Sequence, residues 1–293
     1  TYFREAEGGK KQWINPADVR VDRDDKGRIV AATLSADGQP VTIGGTEKMS
    51  KSKNNGVDPQ ALVDRYGADT ARFFIIFAAP PDQQLEWSDS GVEGAFRFLR
   101  RVWAFGYRFA ASRSHGTAPS MRLDGAELPA ELADVRREVH TCLKQADYDF
   151  GKHQFNTVAS ATMKILNALE KAPESDSAAH AAVVAEGFSI LLRLLAPITP
   201  HVTHALWQAC GFTGDILDAP WPEASEAAMK QDRIELMVQI NGKLRGSIQV
   251  EADLPRAEIE KRALASDAAA KHMDGKPARK VIVVPGRLVN IVC

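Results

Sequence analysis

Lys48-Met49-Ser50-Lys51-Ser52 puts two ammonium groups and two hydroxyls into one polar stretch, and Lys53 adds a third ammonium. Gly44-Gly45 precedes the run and Asn54-Asn55-Gly56 follows it, so it reads as a loop with a hinge on either side. Such a loop can close over a polyphosphate: lysines neutralise the oxygens, hydroxyls and amides donate to them, and the flanks bend. A lysine about 4 Å from a unit phosphate charge is attracted by roughly 4 kcal/mol at an effective dielectric of 20. Composition alone equally allows a solvated lysine–serine loop.

Further along, Arg97, Arg101 and Arg108 fall within about 40° of one another when residues 90–110 are laid out as a helix. Their guanidinium groups could meet phosphates along an RNA backbone. Glu93, four residues before Arg97, offers a helix-surface ion pair instead. Lys243, Arg245, Arg279, Lys280 and Arg287 sit in or beside short hairpins near the end of the chain and are candidates for RNA contact. His201 and His204 lie three apart, but no third ligand accompanies them, so helix capping and packing fit better than zinc. Trp103, Trp207 and Trp221 read as core or linker anchors.

These residues need elements to hold them. Residues 1–45 read as short strands (Val19–Val21, Ile29–Leu34, Val41–Ile43) separated by Asp24-Asp25-Lys26-Gly27 and Asp37-Gly38 turns. Asp58, Pro59 and Gly67 predict a short helix over 59–66, and Asp69 opens another that Pro80-Pro81 ends. Ser90 and Glu93 form a capping-box pattern. The helix beyond it carries a core stripe of Val92, Ala95, Phe96, Leu99, Val102, Trp103, Gly106 and Ala110, with a second flank of Phe98, Phe105 and Phe109. Helical periodicity over 130–148, 153–171 and 178–195, then through Trp207, predicts an antiparallel bundle. Residues 211–228 read as a linker.

In the tail, 234–240 and 244–250 alternate around Asn241-Gly242. A three-residue turn pairs Val238 with Leu244 and keeps one face apolar, and is expected over a two-residue turn that would set Val238 opposite Arg245. A helix over 255–273 stopped by Gly275, then strands flanking Pro285-Gly286, complete a small β-β-α-β-β unit.

Composition limits the function classes. Thirty-seven Lys plus Arg against 38 Asp plus Glu give a net charge of −1 over 293 residues, which excludes a polycationic or acidic-tail protein but allows a local basic groove. Cys142, Cys210 and Cys293 are too few and too scattered for a metal cluster or disulfide framework, so a reducing compartment is expected. The apolar run 187–198 is interrupted by Arg193 and Pro197 and is too short for a membrane span. The chain opens without Met, in what reads as the middle of a fold.

Lys48–Ser52 reproduces the KMSKS signature, and the chain resembles class I aminoacyl-tRNA synthetases. Asn54-Asn55-Gly56-Val57-Asp58-Pro59 and Arg65-Tyr66-Gly67-Ala68-Asp69-Thr70 continue as in the Leu/Ile/Val/Met subgroup. Three further stretches are similar to bacterial leucyl enzymes: Leu85-Glu86-Trp87 with Ser90–Gly94, Arg97–Leu99 with Arg101–Trp103, and Gln239-Ile240-Asn241-Gly242-Lys243-Leu244-Arg245-Gly246.

The resemblance implies a multidomain, mainly α fold: part of a leucine-specific insertion over 1–45, the signature loop and end of a catalytic domain over 46–80, an anticodon-binding-type bundle over 81–215, a linker over 216–231, and an α+β tRNA-contacting domain over 232–293. It implies leucine ligation to tRNA(Leu) in the cytoplasm through leucyl-adenylate, with ATP and Mg²⁺, no structural metal, no membrane, and a monomer. Lys48, Met49, Ser50, Lys51 and Ser52 would bind ATP, with Lys51 central to catalysis beside Lys48, Ser50 and Ser52. Arg97, Arg101, Lys243, Arg245, Lys280 and Arg287 would contact tRNA. One departure stands out: none of His115, His140, His153, His180, His201, His204 and His272 sits in a His-x-Gly-His context, so the chain by itself is expected to be inactive. An isoleucyl, valyl or methionyl enzyme, or a stand-alone RNA-binding module, are the alternatives.

Overall fold

A computed structural model of the chain describes residues 1–6, 8–112, 118–123, 127–230, 233–252, 254–273 and 277–293. Gly275, the expected helix stop, and His115 lie outside the described residues. By internal contacts the chain divides into two compact units, Thr1–Leu128 with Cys142–Glu223, and Pro129–Thr141 with Ala224–Cys293.

The first unit opens with β1 (Tyr2–Glu5), β2 (Lys11–Ile14), β3 (Val19–Arg23), β4 (Ile29–Leu34) and β5 (Thr42–Ile43). They make a β2-β1-β5 sheet and a β3-β4 hairpin around a small core of Ile14, Ala32 and Val41. The alternation around the predicted turns locates β3 to β5. β1 and β2 were not predicted because Arg4, Glu5, Lys11 and Gln12 dilute their apolar pattern. Arg4 grips Asp37 with two N–H···O bonds of 2.8 and 2.9 Å, which together with the Gln39 N–H holds that carboxyl down at about 2.

After the 44–58 loop come α1 (Pro59–Tyr66) and α2 (Ala68–Ala78). Asp58 caps α1 through the Gln60 N–H, and Gly67, at φ +85°, ends it as predicted. Asp69 does not cap its own helix. It is buried, and its carboxylate takes the Val202 N–H at 2.7 Å and lies 2.9 Å from His201 Nδ1 in the first turn of α7 (Pro200–Ala209), some 130 residues further along the chain. From the same face of α2, Arg72 donates to the carbonyls of Ile198 and Pro197 at 2.9 and 3.3 Å. One carboxylate and one guanidinium therefore hold both sides of the turn that enters α7.

The bundle comprises α3 (Asp89–Ala111), the part of α4 (Ala130–Gly151) from Cys142 onward, α5 (Phe155–Glu170), α6 (Ala178–Leu195) and α7. The cap of α3 is Ser88, whose hydroxyl accepts from Gly91, rather than the expected Ser90, and Glu93 accepts from Tyr66 Oη at 3.4 Å. The buried face of α3 is also turned relative to the expected stripe. Phe98, Phe105 and Phe109 are buried with Val92, Ala95, Leu99, Val102 and Gly106, whereas Trp103 is 46% exposed and Phe96 only partly covered. The reason is packing: Phe105 and Phe109 reach Phe188 of α6 with ring centroids 5.1 and 5.9 Å apart, and Gly106 lets Leu206 and Phe188 come close, so the phenylalanine flank is buried too.

α6 is long and apolar enough to cross a membrane by length and composition, but here it is the core helix of the bundle, with Val183 to Leu195 buried. Within it Arg193 is satisfied by Ser189 and the Pro220 carbonyl, and burial lowers its pKa to about 10. Residues expected to form a free linker start by packing: Phe212 and Ile216 are buried, Trp207 stacks on Phe212, and Trp221 donates to Asp147 at 2.9 Å.

The second unit contains α8 (Glu226–Met229), β6 (Arg233–Ile240), β7 (Lys243–Glu251), α9 (Arg256–Leu264), α10 (Asp267–His272), β8 (Lys280–Val284) and β9 (Leu288–Val292). Its sheet order is β7-β6-β9-β8, with β6 parallel to β9. Leu236, Val238, Ile240, Val250, Val289 and Ile291 pack against Ile259, Ala263, Ala268 and Ala269 of the two helices. The expected single helix over 255–273 is broken at Ala265-Ser266, where Ser266 caps α10 through the Ala269 N–H.

The hairpin register also differs from expectation. The turn has two residues, Asn241 (φ +50°) and Gly242 (φ +78°), pairing Ile240 with Lys243. A bulge then gives β7 one extra residue, so Val238 faces Gly246 and Ile234 faces Val250. The bulge reconciles the favoured Asn-Gly turn with an apolar face, and it leaves Leu244 60% exposed.

Candidate functional site

The loop carrying Lys48–Ser52 is templated from inside by a side chain. Asn54 adopts the left-handed conformation (φ +46°), which turns Asn55 inward. The buried Asn55 amide accepts from the Ser50 N–H at 2.8 Å and donates to the Lys48 carbonyl at 3.3 Å. Ser50 and Ser52 Oγ end up 3.2 Å apart, and Lys51–Lys53 forms a 3₁₀ turn. Asn15 from the segment after β2 donates to Asn54 Oδ1 at 3.3 Å.

The three lysines separate by role. Lys53 pairs with Glu47 and lies 5.9 Å over the Trp13 ring. Lys48 and Lys51 are exposed, and no ion pair engages either among the described residues. The loop therefore spends one ammonium on its own structure and presents two with two hydroxyls to solvent. Gly44 packs against the first residue: its N–H donates to the Thr1 carbonyl at 2.8 Å, and a Cβ there would clash with Thr1 Oγ1. Asn55 is the residue that sequence reasoning undervalued. Its only signal was the Asn-Asn pair, where the first residue tolerates a positive φ and the second can bridge backbone groups.

The expected RNA-facing residues are not equivalent. Arg97 is exposed, and the Glu93–Arg97 pair anticipated from spacing is not formed among the described ion pairs. Arg101 is committed to Glu170 and to Asn167 Oδ1 at 2.7 Å, so it braces α3 against α5. Arg108 lies 5.9 Å over the Phe105 ring. In the second unit Lys243, Arg245, Arg279, Lys280 and Arg287 are all exposed, with Arg287 in the turn between β8 and β9. Arg245, at the bulge, shares an open pocket of about 400 Å³ with Lys271, His272 and one carboxylate, Asp267. His201 is held by Asp69, and His204 lies 3.5 Å from Asp215. No group of three metal-ligating side chains occurs among the described residues.

Comparison with known proteins gives this geometry its context. Residues 40–88 match the family of class I tRNA synthetases for I, L, M and V, and residues 133–261 match the anticodon-binding domain of tRNA ligase. A ternary complex titled LeuRS–tRNA–LeuAMS, from Agrobacterium radiobacter, superimposes with a TM-score of 0.69 at 28% identity, over 84% of this chain and 30% of that one. The class I match thus covers the signature loop with α1 and α2, and the anticodon-binding match runs from within α4 through β6 and β7 into α9, each over less than half of the chain.

The particular match is to leucine–tRNA ligases. Those of Azoarcus sp. and Aromatoleum aromaticum are 73% and 71% identical to the whole chain, each over 33% of its own length. The chain aligns with the C-terminal third of these relatives and spans about a third of their length.

Proposed function

We propose that the chain supplies the KMSKS half of an ATP site and the tRNA-holding body of an enzyme that ligates leucine to tRNA(Leu) through leucyl-adenylate. The observation that carries this reading is the loop templated by Asn55, which leaves Lys48 and Lys51 exposed and without an ion pair among the described residues while Lys53 is spent internally. During activation the leucine carboxylate attacks the α-phosphate of Mg²⁺-bound ATP and pyrophosphate departs. Lys51 meets phosphate charge that redistributes as the bond breaks, with Lys48 and the hydroxyls of Ser50 and Ser52 beside it and Met49 completing the loop. The domain assignments follow the same reading: 1–45 as part of the leucine-specific insertion, 46–80 as the end of the catalytic domain, 81–215 as the bundle, 216–231 as a connection and 232–293 as the tRNA-contacting end, in a soluble cytoplasmic enzyme. Arg97, Lys243, Arg245, Lys280 and Arg287 are the stronger RNA contacts; Arg101 is the weakest, because Glu170 already neutralises it.

An interaction that strengthens in the transition state shows in kcat more than in KM. In the enzyme of full parental length, Lys51→Ala lowers the rate of adenylate formation roughly 10²–10³-fold, by analogy with loss of one electrostatic donor. Lys53→Ala costs much less. Pre-steady-state adenylate formation checks both, and a parental rate for Lys51→Ala removes Lys51 from the phosphates. The 293-residue chain by itself forms no leucyl-adenylate, because its sequence holds no His-x-Gly-His to complete the phosphate site opposite the lysine loop. Leucine-dependent ATP–pyrophosphate exchange above a no-protein blank would overturn that.

A further inference from the structure

A cavity of about 400 Å³ in the first unit is walled by the junction of α1 and α2, by α3 and by the first turn of α7. Phe96, Arg100 and Trp103 of α3 line it, and with Tyr107 they are spaced i, i+4, i+7 and i+11, hence on one face of the helix. Trp103 is 46% and Tyr107 69% exposed, in a helix whose three other phenylalanines, Phe98, Phe105 and Phe109, are buried. The Arg100 guanidinium lies 5.9 Å over the Phe96 ring, and Arg97 is exposed one turn earlier. The carboxylate in the cavity wall, Asp69, is already occupied by the Val202 N–H and His201 Nδ1.

From this geometry we infer that the cavity takes an unpaired nucleobase of a bound RNA, stacked on Trp103, with its phosphate beside Arg100. The inference rests on RNA being the chain's partner, as proposed above. Aromatic rings alternating with guanidinium groups suit single-stranded RNA, because every base offers a π-face and every nucleotide a negative charge. Cavities of this size take a flat group of a few rings. The cationic face, with its carboxylate engaged, favours an anionic polymer over an apolar segment of protein.

The test uses the full chain and fluorescence anisotropy with two labelled probes, a single-stranded RNA hexamer of mixed sequence and an abasic hexamer that keeps the phosphates. Trp103→Ala is expected to weaken binding of the base-bearing hexamer roughly 5- to 100-fold. Trp103→Phe should retain most of the affinity, and all three proteins should bind the abasic hexamer alike. Unchanged binding of the hexamer by Trp103→Ala overturns the proposal. So does equal affinity of the unaltered chain for the two probes, or a Trp103→Phe defect as large as that of the alanine variant. Binding of tRNA(Leu) by the unaltered chain is measured alongside. If it is absent, the RNA reading itself falls; if it is present while Trp103 is silent, only the nucleobase site falls.

Discussion

The 44–58 loop and the β6–β7 hairpin start from the same device and diverge at the next residue. Each places an asparagine at positive φ where the chain reverses, Asn54 at +46° closing the Lys51–Lys53 turn and Asn241 at +50° opening the hairpin turn. In the loop the following residue is Asn55, whose buried amide replaces the missing backbone ladder and shapes the segment from within. In the hairpin the following residue is Gly242, and the strands carry the turn, with Asn290 accepting from the Gly242 N–H and Asn241 from the Cys293 N–H. A turn held by one inward side chain can present lysines without a sheet behind them. A turn held by a ladder displays its charges only as the register allows, and here a bulge sets where Arg245 goes.

Perturbing the two turns and their supports should separate these mechanisms. The largest stability effect belongs to the brace that fixes the segment downstream of the loop. Asp69→Ala removes the side-chain cap of α7 and leaves the buried-side Val202 N–H without its acceptor. Lost capping together with an orphaned amide should cost roughly 2–4 kcal/mol. Urea unfolding of the full chain reads this as a lower midpoint at constant slope, and a midpoint within error of the unaltered chain would show that α7 is held by packing alone.

Next in size is Asn55→Ala. It orphans the Ser50 N–H and the Lys48 carbonyl, at about 1–3 kcal/mol, but the damage is confined to the loop. Amide exchange at Ser50 should accelerate while core amides of α5 and α6 stay protected. Uniform acceleration across the first unit would mean that Asn55 supports more than the turn.

The contrast also marks what could be read from the sequence. Asp58, Pro59, Gly67 and the bundle helices were legible within a few residues because caps and periodicity are local signals. The polar loop and its lysines were legible as a motif, yet the internal pairing of Lys53 was not, because it depends on Glu47 and the distant Trp13 both lying beside that lysine. Asp69 was misread as a local cap since its partners lie more than 130 residues away. On α3 both apolar flanks were legible, and the misses are Phe96 and Trp103, whose spacing fits the stripe although neither is buried. The hairpin failed for a different reason. Two registers were weighed, and the real one combines the two-residue turn of one with the apolar face of the other by inserting a bulge, which alternation alone does not reveal.

The hairpin should respond to backbone change where the loop responds to side-chain change. Gly242 sits at φ +78° with nothing within 4 Å of a would-be Cβ. Gly242→Ala therefore meets no clash, and its cost is the left-handed conformation alone, about 1 kcal/mol. Thermal or urea unfolding of the full chain measures it. A cost near zero would show that the turn relaxes to the three-residue form expected from sequence, which amide exchange at Lys243 would then confirm.

The smallest effect is expected at Lys53, and it tests whether the loop's internal ion pair matters at all. Lys53 and Glu47 side chains are each about one-third exposed (36% and 34%), so solvent screens the pair. Such partly exposed pairs contribute about 0–1 kcal/mol, and the ring of Trp13 at 5.9 Å adds little at that distance. Lys53→Ala should leave the unfolding midpoint almost unmoved, and Lys53→Met, which keeps the aliphatic stem over Trp13, should be indistinguishable from it. Asn55 continues to template the turn in both variants, so Ser50 amide exchange should also stay slow. If Lys53→Ala instead frees the Ser50 amide as Asn55→Ala does, the loop is held by charge rather than by its buried amide. The distinction between the two turns would then rest on electrostatics, and raising the salt concentration should reproduce the same loss in the unaltered chain.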